Sequence, residues 1–327
     1  MITVHFKKND KAETNVSPEI LKHLDKRDIL WIDLDAPTGV ERKVVENFIG
    51  MKLLTRAQAS EIESTSKYYE TPDAVIANCN YFISHNNSYD IEPTTFIISR
   101  DGFLVSDHDI HPSSLGDIHK RIITSPSKNA DGYELLLTML EALIDYDADM
   151  VELTNRQISA LSKDINSSDN IDKEVLHRIN NLQEKTMSMR ENIFDLQRVL
   201  SGIMKSSRFP ENSNSRLLLM MKDVESLINH GELSFERLDY MQDNALGLIN
   251  IEQNEIVKIL SVAAVIFMPP TLIASIYGMN FKVMPELNWV WELDNGWVIP
   301  AGYLFALMLM AIVTFLTYWF FRYKKWL

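Results

Sequence analysis

Charge is absent from two long stretches of the chain: residues 259–281 hold none over 23 positions, and residues 295–321 none over 27. Coiled as a helix at about 1.5 Å per residue, either stretch crosses the roughly 30 Å hydrocarbon core of a bilayer. Other absences narrow the field. The single cysteine, Cys79, excludes an intrachain disulfide and a cysteine zinc cluster. The first thirty residues are too polar for a signal peptide, so insertion is expected to use the C-terminal stretches. No phosphate loop, dinucleotide-binding glycine pattern or nucleophile elbow occurs, and nothing marks an enzyme. The close histidine pair, His108 and His111, runs into Pro112 with no cysteine beside it, which argues against a metal there.

Positive charge is also scarce. The chain carries −13 at neutral pH. Lys258, Lys282, Arg322, Lys324 and Lys325 against Glu286, Glu292 and Asp294 leave residues 258–327 at +2, so residues 1–257 carry −15. Such an acidic region argues against nucleic acid, whose phosphates need a basic surface. Most of the carboxylates are expected to keep a soluble region in solution. Arg322, Lys324 and Lys325 follow the second apolar stretch, whereas the loop before it is net acidic. By the positive-inside rule the C-terminus is cytoplasmic, and with two spans the N-terminal part is too.

Three regions follow. Residues 1–130 read as an α/β domain. Leu30-Trp31-Ile32-Asp33-Leu34-Asp35 alternates toward Pro37 as a strand, and residues 74–83, 94–99 and 102–107 read as further strands. Thr38 and Glu41 form a capping-box pattern for a helix carrying Val40, Val44, Val45, Phe48 and Ile49 on one face. Residues 131–257 turn helical. A first helix from Tyr133 shows Leu136, Leu140, Leu143, Ile144, Met150, Val151, Leu153, Ile158 and Leu161 at helical spacing, with the acids Glu141, Asp145, Asp147, Asp149 and Glu152. Those acids suit a solvated face better than a metal sensor. Helices over 173–200 and 217–229 follow, and a last one starts after His230-Gly231. The 38 or so residues before Pro269 make it about 57 Å long, so its first half is a stalk outside the membrane. Residues 258–327 form the membrane region, with helices over about 258–278 and 297–321, a loop over 279–296 and a basic tail over 322–327.

The first span carries a stripe of small and polar residues: Asn254, Val257, Ser261, Ala264, Met268, Thr271 and Ser275. Such a stripe serves equally as a helix-packing seam or as a wall facing water. Two helices per chain cannot enclose a path, so transport implies an oligomer. Met268 and Leu260 would then form apolar rings able to exclude water, and Pro269-Pro270 would bend or loosen the helix. The second span, with Tyr303, Phe305, Phe315, Tyr318, Trp319 and Phe320, suits lipid. At the end of the first span Gly278 allows a positive φ, and Asn280 offers an amide oxygen beside the negative end of the helix dipole. A plain helix C-cap is the alternative.

These residues resemble a family. Tyr277-Gly278-Met279-Asn280-Phe281, then Met284-Pro285-Glu286-Leu287 and the terminal Lys324-Lys325-Trp326-Leu327, closely resemble the CorA magnesium and cobalt transporters. The likeness extends through Phe267-Met268-Pro269-Pro270 to Gly132-Tyr133-Glu134-Leu135-Leu136-Leu137 and covers essentially the whole chain. It implies a funnel-shaped homopentamer in an inner or plasma membrane, with an α/β cytoplasmic domain, long stalk helices and two C-terminal transmembrane helices. It further implies a channel for Mg²⁺, with Co²⁺ and Ni²⁺ as related cargo, that needs no cofactor. Gly278, Met279 and Asn280 become the selectivity filter and Glu286 an outer-loop residue. The pore-facing set becomes Asn254, Val257, Leu260, Met268 and Thr271, which puts Leu260 where the stripe has Ser261. Glu61 and Asp223 fall near a regulatory pair that binds intracellular Mg²⁺ between subunits. Lys282 departs from the acid that many relatives carry there. A zinc-transporting relative and a membrane-tethered sensor without transport are the competing readings.

Overall fold

Alternating apolar side chains build a seven-stranded sheet from the first third of the chain. Its strands are β1 (Ile2–Lys8), β2 (Lys11–Asn15), β3 (Ile29–Asp35), β4 (Tyr68–Glu70), β5 (Ala74–His85), β6 (Ser88–Ser99) and β7 (Leu104–His108), in the order β2-β1-β3-β7-β6-β5-β4. The structure, a computed structural model, describes residues 1–8, 11–59, 67–85, 88–109, 131–167, 173–280, 282, 284–292 and 298–324. It divides into two units, residues 1–245 and 246–327.

Neighbouring strands run antiparallel except β3 and β7, which pair in parallel from Trp31↔Leu104 to Asp35↔His108. Because successive side chains point to opposite faces, the sheet feeds two cores. Trp31, Val75, Ala77, Cys79, Tyr81, Phe96 and Leu104 face one of them; Ile2, Val4, Ile32, Leu34, Ile76, Ile97 and Val105 face the other. The expected strands are all present, and β1, β2 and β4 are added to them. Against the second core packs α1 (Gly39–Ile49) through Val45, with Val44, Phe48 and Ile49 partly buried. Its capping box forms as the sequence indicated: the Glu41 amide donates to the Thr38 hydroxyl at 3.3 Å, and the Thr38 amide donates to the Glu41 carboxylate at 2.8 Å. A short helix, α2 (Arg56–Ala59), follows.

The other core is closed by α3 (Gly132–Ser167), α4 (Lys173–Lys205) and the first part of α5 (Asn214–Tyr277). Leu136, Leu140, Leu143, Ile144, Val151, Ile158 and Leu161 are buried on α3, as their spacing required, while Leu153 is exposed. Close approach fixes two glycines, Gly202, whose Cβ would run into the Tyr68 ring, and Gly132. The Gly132 amide donates to the Gly102 carbonyl at 2.7 Å, and a Cβ on Gly132 would lie 2.6 Å from that same oxygen.

α5 corrects the expected pair of helices. Its 64 residues pass through His230-Gly231 without a break. A mid-helix glycine costs only about 1 kcal/mol against alanine. Burial of Leu227, Ile228 and Leu238 on either side, and the Ser234 hydroxyl donating to the His230 carbonyl at 2.7 Å, hold the turn closed. The last helix, α6, covers Ala301–Tyr323.

Candidate metal pathway

Among the described residues two helices, α5 and α6, are long and apolar enough to cross a membrane. Taken as one chain, α5 leaves its predicted stripe bare. Val257, Leu260 and Met268 are 59%, 65% and 67% exposed, and Asn254, Ser261, Ala264, Thr271 and Ser275 are exposed with them. Val262, Val265, Ile266, Pro269 and Ile273 are half-buried. At about 100° per residue these centre roughly opposite the stripe. Off the stripe, Ile259, Phe267 and Leu272 are 67%, 68% and 62% exposed, so most of the span is open in the single chain, the stripe included. Leu260 and Ser261 are both exposed, so both remain on the candidate wall. On α6 the aromatic residues Tyr303, Phe305, Phe315, Tyr318, Trp319 and Phe320 are exposed, as a lipid-facing helix requires.

The helix continues through Pro269 and Pro270. Each proline lacks an amide hydrogen, so the carbonyls of Val265 and Ile266 lose their helical donors. One turn on, the Thr271 hydroxyl donates to the Phe267 carbonyl at 2.7 Å. That spends its proton and leaves its oxygen as an acceptor.

At the helix end the glycine behaves differently from the expectation. Positive φ among the described glycines occurs at Gly50 and Gly102, and Gly278 is not among them. Its amide still donates to the Ala274 carbonyl at 2.9 Å, and the Met279 amide to the Ile276 carbonyl at 3.3 Å. The chain therefore keeps winding, and a Cβ on Gly278 would sit 3.2 Å from the Ala274 oxygen. Gly278, Met279 and Asn280 are all exposed, so the amide stands at the free carbonyl end of α5. There the helix dipole favours a cation. Lys282 is exposed two residues later.

Glu286 is half-buried in a short 3-10 turn, Pro285–Asn288. That turn is tied to α6: the Trp289 amide donates to the Glu286 carbonyl, the Gly302 amide donates to the Trp289 carbonyl at 3.1 Å, and the Trp289 and Phe305 rings lie 5.7 Å apart. Two short strands, β8 (Trp291–Glu292) and β9 (Val298–Ile299), pair beside it.

Of the proposed regulatory pair, Asp223 is exposed on α5 and Glu61 lies outside the described residues. Among the described residues no group of three or more His, Cys, Asp or Glu side chains is placed to hold a metal. Asp145, Asp149 and Glu152 are exposed, as the solvated-face reading expected. Asp147 is not: it is fully buried on α3, 3.5 Å from the Asn192 amide nitrogen, and burial pushes its carboxyl up to about 8. Its place seven residues after Leu140 and four before Val151 puts it on the apolar face of α3, the signal that separates it from its neighbours. Cys79 is buried, and its thiol is pushed up to about 12 by loss of water. His108 belongs to the sheet core, where its Nε2 lies 2.9 Å from Asp33 Oδ1; His111 falls outside the described residues. A cavity of about 180 Å³ at the ends of β3 and β7 is lined by Arg42, Asp107, Arg56 and Asp109. Its charges pair among themselves, Arg42 with Asp107 and Arg56 with Asp109.

A protein-family model described as CorA-like Mg2+ transporter protein matches residues 26–325. The chain is 33% identical over 304 residues to the magnesium transport protein CorA of Wolinella succinogenes, covering 91% of each chain. To the protein of that name from Pasteurella multocida it is 33% identical over 303 residues, covering 91% of this chain and 92% of that one. Among solved structures, the complete CorA magnesium transporter from Methanocaldococcus jannaschii matches with a TM-score of 0.79 at 20% identity, over 100% of this chain and 99% of that chain. That last likeness is one of fold.

Proposed function

The chain belongs to the CorA-like Mg2+ transporter family, and from that premise we propose that it is a magnesium channel of the membrane, built from identical copies. The observation that carries the reading is the open stripe on α5 ending at an exposed amide, Asn280, on the carbonyl end of an apolar helix. Five copies around an axis turn that stripe into a wall and the amides into a ring. Gly278 and Met279 shape the ring; Asn254, Val257, Leu260, Ser261, Ala264, Met268, Thr271 and Ser275 line the path below it, with Leu260 and Met268 as apolar constrictions.

Mg²⁺ releases its water reluctantly, so neutral amide oxygens bind the hydrated ion without trapping it. Zinc selection would call for thiolate or imidazole, which the stripe lacks. Co²⁺ and Ni²⁺ have similar hydrated forms and share the path. Entry into a cell with a negative interior yields about 4.6 kcal/mol per 100 mV for a divalent ion, so the ion's own gradient drives uptake. In this reading both termini are cytoplasmic, the membrane is the inner or plasma membrane, and Mg²⁺ is both cargo and regulator. Asp223 and Glu61 of neighbouring copies hold the regulatory ion that closes the path.

Growth of a transport-deficient host in low Mg²⁺ tests the reading. Expression of the chain restores growth, and hexaamminecobalt, a mimic of the hydrated ion, removes the rescue. Rescue that resists hexaamminecobalt while zinc uptake rises would point to the zinc reading, and absence of any uptake would leave only a tethered sensor.

A further inference from the structure

Lys282 stands two residues beyond Asn280, exposed, and among the described residues it has no ion-pair partner. Two residues of extended chain span at most about 7 Å between Cα atoms, within the Debye length of about 8 Å at physiological salt. Of the acids of the same loop, Asp294 lies outside the described residues and the other two are placed differently. Glu286 is half-buried in the turn tied to the start of α6, and Glu292 lies farther along in β8. The loop as a whole is net negative in sequence, yet the formal charge closest along the chain to the amide is a cation. In a symmetric ring that cation repeats in every copy, and the repulsions on an approaching ion add.

We propose that Lys282 is a determinant of cation affinity, raising the Mg²⁺ concentration needed for uptake through an unneutralised ammonium beside the amide ring. The inference rests on the channel reading above. Its signature is an unusual salt response: monovalent salt screens the repulsion, so uptake at low Mg²⁺ strengthens as salt is added, whereas an acidic mouth gives the opposite trend.

The test is Mg²⁺ flux into proteoliposomes holding the full chain, measured against Mg²⁺ concentration at low and high monovalent salt. Lys282→Gln is expected to lower the half-saturating Mg²⁺ concentration about three- to tenfold at low salt, with the difference shrinking at high salt. Lys282→Arg, which keeps the charge, should behave as the wild type. An unchanged or raised half-saturating concentration in Lys282→Gln, or wild-type uptake that weakens with salt, overturns the inference. Flux that requires Asn280 but ignores Lys282 overturns it alone; no wild-type flux overturns the channel reading with it.

Discussion

Asp147 shows how one residue can escape a sequence reading. It sits in a run of acids at helical spacing, and its neighbours Asp145 and Asp149 are exposed while it is fully buried. Asp147 falls at the helical spacing of the buried Leu140, Ile144, Val151 and Thr154, whereas Asp145 and Asp149 lie about 200° away around the helix; reading the acids as one set passed over that apolar spacing. The same burial gives a pH dependence of definite sign. The folded-state value of about 8 lies above the ordinary 3.8, so the folded chain keeps a proton that the unfolded chain releases. The penalty from this group is absent below about pH 4, grows as pH rises, and is complete above about pH 8. At about 1.36 kcal/mol per unit it amounts to several kcal/mol. Asp147→Asn should therefore raise the thermal midpoint of the detergent-solubilised protein at pH 8 and change it little at pH 4. A variant destabilised at both values would show that the carboxylate is favourably held. Asn280 was singled out from the sequence as the amide after a glycine at the end of an uncharged helix, and it stands exposed at that helix end; a helix cap uses the same two residue types.

At the scale of elements, strands and helices with strong periodicity were readable: β3, β5, β6, β7, α1 and the start of α3 all stand where alternation or capping placed them. Glycine was harder, since its meaning depends on what approaches it. Gly231 read as a helix boundary and is an interior residue; Gly278 read as a left-handed exit and continues the winding. Gly132 is a position where a missing side chain matters because backbone approaches it. Gly132→Ala would place a Cβ 2.6 Å from the Gly102 carbonyl oxygen, against backbone that cannot swing aside. A loss of about 1–3 kcal/mol is expected, as for other overpacked sites. Gly231→Ala meets only the Arg190 side chain at 3.8 Å, an ordinary contact, and should stabilise α5 by about 1 kcal/mol. Denaturant midpoints of the two variants should move in opposite directions; a shared direction would contradict the packing described for one of them.

At the scale of the molecule, the two helices able to span a membrane were evident from the uncharged stretches alone, and the expected direction of insertion rests on where the basic residues cluster. The path itself was not visible in the same way. Packing seams and water-facing walls use the same small and hydroxyl-bearing residues, and one chain offers nothing to separate them. The structure adds that the chain leaves this stripe exposed, and it adds the carbonyl end of α5 beneath Asn280. The channel reading joins these into a ring. Flux of Mg²⁺ into liposomes, compared between the wild type and Asn280→Ala at equal protein, tests that ring most directly. A fall of about tenfold or more with the assembly intact is expected when the amide oxygens are removed. Equal flux in the two would contradict an amide ring as the entry site.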